Sequence, residues 1–295
     1  MEYIDKNPYL EKEREIDIAY LQDCFNDESH SFYPEIDTDQ SYSNFSSKKY
    51  RKGVDGWENL LLLEQNGRCC YCMRKLDLCA RNIEHVVPRN INTGNPEEEF
   101  QKYAKAACII EDNVILASDF TKTKFEDSED IRKAAKMPHR IALQNLLVSC
   151  NGKFGNPSSG CCCNNARSND FLQPLMLMQN GANKVYYDGI SGVVAIYPFE
   201  PSWGKMLETL NDDTYKEIRV LWHKIWKHKD GIDLDAFESY EGRDRIILMK
   251  TIFEVDNFLN IPDEYKKYAG VTDKNSLYWK LLMDFDWFLT YEWKS

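Results

Sequence analysis

The sequence has no apolar run approaching the roughly 18 residues needed to cross a bilayer, so it predicts no membrane span. Its opening residues, Met1-Glu2-Tyr3-Ile4-Asp5, lack both a basic n-region and an apolar h-region; they predict no secretory signal and a cytoplasmic location. No Gly-x4-Gly-Lys-Ser/Thr occurs, so any nucleotide dependence has to come from a partner. There is no internal repeat and no low-complexity tract. An excess of positive charge is missing too: 37 Lys and Arg face 48 Asp and Glu, a net charge of −11. Spread evenly, that balance would argue against phosphate binding.

The charge is not spread evenly. Residues 1–45 hold 12 acidic and 3 basic residues, net −9; residues 46–170 hold 16 and 19, net +3; residues 171–295 hold 20 and 15, net −5. Only the middle segment has the sign that phosphate contact needs, although a solvated basic face accounts for it equally. With 295 residues, 43% hydrophobic and 29% charged, the chain can bury a core of one large domain or two modest ones.

The apolar pattern predicts a charged amphipathic helix from about 8 to 25, with Ile16, Ala19, Tyr20 and Leu21 on or near one side, and a loop or linker over 26–47. Helices are expected near 54–65, stopped by Asn66-Gly67, and near 96–108 and 128–137. Residues 151–160 read as a loop. Val185-Tyr186-Tyr187, Asp188-Gly189 and Val193 to Tyr197 predict a hairpin, and helical patterns follow near 204–228, 235–259 and 274–292.

Ten cysteines in a mid-sized chain predict metal ligands plus reduced thiols rather than disulfides. Cys69 and Cys72 have the C-x2-C spacing that brings two thiolates to one tetrahedral metal from a tight turn. A second pair would combine Cys150, at the end of a predicted strand, with one of Cys161, Cys162 and Cys163; spacing does not choose among the three. A buried thiol is the default reading for Cys24, Cys70, Cys79, Cys108, Cys161 and Cys162. Glu84-His85 follows the first pair. On an extended strand these neighbours point to opposite faces, which pairs a carboxylate suited to Mg²⁺ with a base that titrates near neutrality. Asp112-Asn113-Val114-Ile115-Leu116 shares the Asn-apolar look of Asn145-Leu146-Leu147, but no cysteine follows at the right distance, so it reads as an ordinary buried strand.

Cys-x2-Cys, then Ile83-Glu84-His85-x2-Pro88, then Asn145-Leu146-Leu147-x-Ser149-Cys150, then Cys163-Asn164-x2-Arg167 resembles the HNH endonuclease module, in which a zinc-stapled ββα unit holds a catalytic metal. More narrowly, it is similar to the PtuB-type HNH proteins of Septu and retron-associated anti-phage systems, which share a Ser-Cys-Asn-Gly loop and a later hairpin. The resemblance covers residues 57–170, is looser over 171–228, and touches neither 1–45 nor 229–295. It implies an α+β fold, with the ββα-metal module over 48–170 embedded in a mainly helical protein, between an acidic helix and linker (1–47) and a hairpin plus helical region (171–295). It implies Cys69, Cys72, Cys150 and Cys163 as structural zinc ligands. It also implies His85 as general base, Glu84 and Asn164 as ligands of a catalytic Mg²⁺ or Mn²⁺, and Asn145 as the residue that orients His85. The family more often carries Asp or His where Glu84 stands.

The activity implied is phosphodiester hydrolysis in nucleic acid, with DNA expected, alongside an SMC-like, PtuA-like ATPase partner. Lys153, Arg167 and Arg89 are candidate phosphate contacts, and the N-terminal and C-terminal helices are candidate docking elements. A catalytically degenerate zinc-stapled binding module and an RNA-cleaving toxin are the alternatives.

Overall fold

The computed structural model describes residues 1–27, 39–52, 56–76, 81–91, 94–152, 163–167, 171–270 and 273–293. Helix, α and 3-10 together, accounts for 55% of the described residues and strand for 9%, an α+β chain in which short sheets supply register and helices supply bulk. Among the described residues no helix is long and apolar enough to cross a membrane. Two compact units divide the chain: Met1–Tyr71, Asp77–Cys150 and Ser168–Asn183 form one, and Cys72–Leu76, Asn151–Arg167 and Lys184–Ser295 the other.

In the first unit, helix α1 (Leu10–Asn26) buries Tyr20 and Leu21 as expected, but Ala19 is exposed. The inward positions one and two turns earlier belong to Glu13 and Asp17, which continue the same helical face at i, i+4, i+7 and i+8. Carboxylates enter this core because distant residues, Lys6 and the Leu143 amide, bond to them. Helix α2 (Asp39–Phe45) corrects the loop expected there, and residues 28–38 lie outside the described set. Its Phe45 ring stacks on Trp57 at 5.2 Å and its Phe45 carbonyl accepts the Trp57 indole N–H at 3.0 Å. That tertiary contact overrides a polar local sequence.

Helix α3 (Trp57–Glu64) stops where Asn66-Gly67 predicts. Asn66 and Gly67 take φ +52° and +67°, and the Asn66 and Gly67 amides donate to Leu63 and Leu62 carbonyls, the paired bonds of a Schellman end. Strand β1 (Arg81–His85) follows. Next come α4 (Pro96–Ala106), with Pro96 in its first turn and the Asn95 side chain as N-cap, α5 (Cys108–Asn113) and β2 (Val114–Ile115).

The helix expected over 128–137 ends early, as α6 (Ser128–Arg132). Met137 and Pro138 instead form β3, parallel to β2, and a strand pairing fixed by a distant segment outcompetes local helix propensity. Of the strand expected over 112–116 only Val114–Ile115 forms; Asp112 and Asn113 end α5 instead, and Val114 and Leu116 are buried.

Strand β4 (Leu146–Cys150) pairs antiparallel with β1 in the register Arg81↔Cys150, Glu84↔Leu147 and His85↔Leu146. Its other edge is covered. The Gln65 amide donates to the Val148 carbonyl and accepts from the Val148 N–H, at 2.8 and 2.7 Å, and the Cys70 N–H also reaches the Val148 carbonyl, at 3.1 Å. A buried edge without such partners would strand its backbone groups.

In the second unit, α7 (Asn164–Arg167) precedes the predicted hairpin, β5 (Val185–Tyr187) and β6 (Val194–Ile196), paired antiparallel. Gly192 turns it at φ +72°, where a Cβ would meet the Lys216 carbonyl at 2.2 Å. The helix expected over 204–228 is two helices, α8 (Gly204–Leu210) and α9 (Asp213–Lys227), because Asp212 caps the second through the Thr214 amide. Over 235–259 only α10 (Gly242–Ile252) is α-helical. The 274–292 pattern becomes α11 (Asp273–Met283) and a 3-10 turn at Asp286–Leu289, with Leu281, Leu282, Phe285, Trp287 and Phe288 buried. Core packing therefore explains that aromatic pattern.

Candidate metal centre and active site

The Sγ atoms of Cys69, Cys72, Cys150 and Cys163 all lie within 4.8 Å of one another, and all four residues are buried. Thiolates around a tetrahedral zinc at the usual Zn–S distance stand about 3.8 Å apart, so a small contraction would close the shell. The group can hold a structural metal such as zinc. Local geometry serves that end: Cys163 takes φ +56° and Met73, directly after Cys72, φ +65°. A left-handed non-glycine residue costs on the order of 1 kcal/mol and persists only where its surroundings fix it. For Cys163 the fixing contacts include the Ala166 and Arg167 amides, both 3.0 Å from its carbonyl at the start of α7. The Cys69 sulfur accepts the Cys150 N–H at 3.3 Å, a bond that favours a thiolate.

The member of the cysteine triplet brought into this group is Cys163; Cys161 and Cys162 lie outside the described residues, as do Cys79 and Lys153. Of the thiols assigned by default to the interior, Cys70 is buried, Cys24 is half-buried and Cys108 is exposed.

Glu84 and His85 are neighbours on β1 and face opposite ways, as a strand dictates. The Glu84 carboxylate is 5% exposed and lies 3.4 Å from the Tyr71 hydroxyl and 3.3 Å from the Ser149 hydroxyl, both donors to it. The His85 ring is half-buried, edge-on to Tyr42 at 4.7 Å between centroids, and the Arg89 guanidinium lies 4.9 Å from the same Tyr42 ring. His85 Nε2 sits 2.9 Å from the Arg140 carbonyl. A carbonyl only accepts, so Nε2 carries the proton and Nδ1 the basic lone pair.

Asn145, fully buried, bonds to the chain around His85 rather than to His85 itself. It clamps the chain two residues further on: its Oδ1 accepts the Val87 N–H at 2.8 Å, and its Nδ2 donates to the Val87 carbonyl at 3.0 Å and the His139 carbonyl at 2.7 Å. Its own carbonyl takes the Val86 N–H at 2.9 Å.

No family model, curated protein or solved structure matches this chain. The site therefore has to be judged on its own geometry.

Asn164 opens α7 directly after Cys163, and its side chain lies outside the described set. Arg167 is buried rather than presented to solvent, Lys153 lies outside the described residues, and Arg89 meets the same Tyr42 ring that His85 does. Sequence reasoning missed His139. Its Nδ1 accepts the Ala117 N–H at 2.9 Å, and its Nε2 faces the Arg89 carbonyl at 3.3 Å. Burial, helped by His85 when it is protonated and by the Arg140 charge, pushes its pKa down to about 3, so it stays neutral and its tautomer is fixed by its partners. A lone histidine six residues before Asn145 carries no spacing signal. Nor does Tyr42, in a stretch read as linker.

Proposed function

We propose that this chain is an HNH-type endonuclease that hydrolyses phosphodiester bonds in nucleic acid, with DNA the expected substrate. The observation that carries the reading is the β1–β4 register. It takes two motif halves about sixty residues apart and sets Glu84-His85 against the residues just after Asn145. In chain order the protein then offers a strand ending in Glu84-His85, a strand from Leu146, directly after Asn145, to Cys150, and a helix starting after Cys163, the order of a ββα unit. In this reading the four cysteines hold zinc as a structural staple.

With its proton on Nε2, His85 offers Nδ1 to take a proton from the attacking water. Asn145 fixes the backbone immediately after His85, so the ring's position is set by a buried bond network rather than by a mobile loop. Arg89, on the Tyr42 ring that His85 also meets, is the candidate guanidinium to bind and orient a phosphate. Glu84 supplies oxygen donors of the class that suits Mg²⁺ or Mn²⁺, and the resemblance would add Asn164, whose side chain lies outside the described residues. The Glu84 carboxylate accepts from the Tyr71 and Ser149 hydroxyls at 3.4 and 3.3 Å, and its oxygens are of the hard class that a divalent cation takes. Bound there, the ion would polarise the phosphate as a Lewis acid.

The resemblance extends the proposal to anti-phage defence with an SMC-like ATPase partner. A second reading, a zinc-stapled binding module, is favoured by one feature: the burial of Glu84 under Tyr71 and Ser149, which suits a structural carboxylate. The test is a cleavage panel of duplex DNA, single-stranded DNA and RNA with Mg²⁺ or Mn²⁺, run alone and with the neighbouring gene product. Cutting that vanishes in a folded, zinc-loaded His85→Ala variant supports the nuclease, and an RNA-only pattern identifies the toxin. Activity that survives His85→Ala sinks the mechanism, and no cutting in any arm leaves the binding module.

A further inference from the structure

Four ionisable side chains are sealed together in the first unit, just ahead of β4. Lys6 is 1% exposed, Glu13 and Asp17 0%, and Glu64 7%. The Lys6 ammonium donates to Glu13 Oε1 at 2.8 Å, Glu64 Oε2 at 2.8 Å and the Leu143 carbonyl at 2.9 Å, which uses all three of its protons. The Leu143 N–H donates to Asp17 Oδ2 at 3.1 Å, and the Gln144 side-chain amide donates to Glu13 Oε2 at 3.2 Å. Both backbone polar groups of Leu143 are therefore held by side chains more than a hundred residues away in sequence. The residue after Gln144 is Asn145, the clamp on Val87 and His139.

We propose that Lys6, with Glu13, Asp17 and Glu64, is a positioning device for the candidate active site, fixing the Leu143–Asn145 turn so that Asn145 holds the Val87 backbone beyond His85. Only the catalytic half of this statement rests on the proposed nuclease function. The acidic N-terminal segment, set apart by its charge, thereby becomes part of the site's support.

The choice of chemistry argues for positioning over bulk stability. Burying an ion cluster costs desolvation that an apolar cluster of the same volume avoids, and the best-attested use of such clusters is to specify one geometry. Here the specification is directional: Leu143 is gripped by a cation at its carbonyl and a carboxylate at its N–H. Burial lifts Asp17 well above the usual carboxylate range and raises Glu64 as well. Burial alone would lower Lys6, but its two carboxylates outweigh it and hold the ammonium charged.

The test compares full-length wild type with Lys6→Met and, as a milder cut in case Lys6→Met fails to fold, Gln144→Met. Hydrogen exchange is read at the Val87 and Asn145 amides, with the β5–β6 hairpin as internal control, alongside bound zinc and, where the wild type cleaves DNA, kcat and KM. The expected result is exchange at Val87 faster by about tenfold or more, with hairpin exchange and zinc content unchanged and kcat falling while KM holds. Unchanged Val87 exchange in a folded variant of both kinds overturns the proposal, as does a loss spread equally over the hairpin. If the wild type proves inactive, the nuclease reading fails, and the exchange result still decides the positioning role.

Discussion

Replacing Asn145 by alanine is the most direct measure of the clamp at the centre of the site. The change removes an acceptor from the Val87 N–H and a donor from the Val87 and His139 carbonyls, at 2.8, 3.0 and 2.7 Å. Three buried backbone groups lose their partners at once. Each unsatisfied group costs about 1–3 kcal/mol, and a water entering the vacated space would recover part of that. A loss of about 3–5 kcal/mol follows, a large share of the ~5–15 kcal/mol that holds a typical domain together. Asn145→Asp sharpens the test. It keeps the shape and the acceptor for the Val87 N–H, yet turns an oxygen toward two carbonyls and buries a charge, so it is expected to cost as much as alanine. Urea unfolding gives the total, and hydrogen exchange at Val87 locates it. A cost below about 1 kcal/mol for alanine, or an aspartate variant near wild type, would refute the claim that these bonds hold the loop after His85.

Further outcomes follow from the same structure. Purified protein should carry one zinc per chain by elemental analysis; Cys69→Ser should lose it and unfold more readily, because metal binding is part of folding at such a site. The exposed Cys108→Ser should change neither quantity. His139 should produce an acid limb in stability: the unfolded chain takes up a proton near the ordinary histidine value of 6.5, whereas the folded chain resists until about 3. Stability should therefore fall as pH drops from 6.5 toward 3, by up to about 1.4 kcal/mol per unit, and His139→Gln should flatten that limb. Asp17 has the opposite sign. Its raised folded value means its contribution is complete below the ordinary carboxylate range and declines as pH rises, so Asp17→Asn should reduce alkaline sensitivity in a urea titration across pH.

Some of this architecture was legible because it is local. C-x2-C spacing, the Asn66-Gly67 stop and the hairpin around Asp188-Gly189 each depend on residues within a few positions, and each sits where the sequence places it. What failed depended on distant partners. Met137 and Pro138 leave a helical pattern to pair with Val114 and Ile115. Glu13 and Asp17 enter the core because Lys6 and the Leu143 backbone are there to meet them. Phe45 turns an apparent linker into a helix by stacking on Trp57. Periodicity reports which face of a helix is apolar; it is silent about a buried acid whose counter-charge comes from another element.

The candidate site shows a deeper reason for silence. The stretch from Met137 to Gln144 carries no motif, yet it supplies most of the groups that set the site's geometry. The Arg140 carbonyl fixes the His85 tautomer, the His139 carbonyl takes the Asn145 amide, and both polar backbone groups of Leu143 anchor the turn to Lys6 and Asp17. These are main-chain atoms, which every residue type offers alike, so no pattern of side chains announces them. What the sequence does record is the other end of each bond, at His85, Asn145, Lys6 and Asp17, where only particular side chains will serve. A variant at Arg140 that keeps the backbone in place should therefore leave the His85 tautomer intact. A proline at Leu143, which removes the N–H that Asp17 accepts and constrains the residue before it, should disturb the site even though no functional side chain is touched.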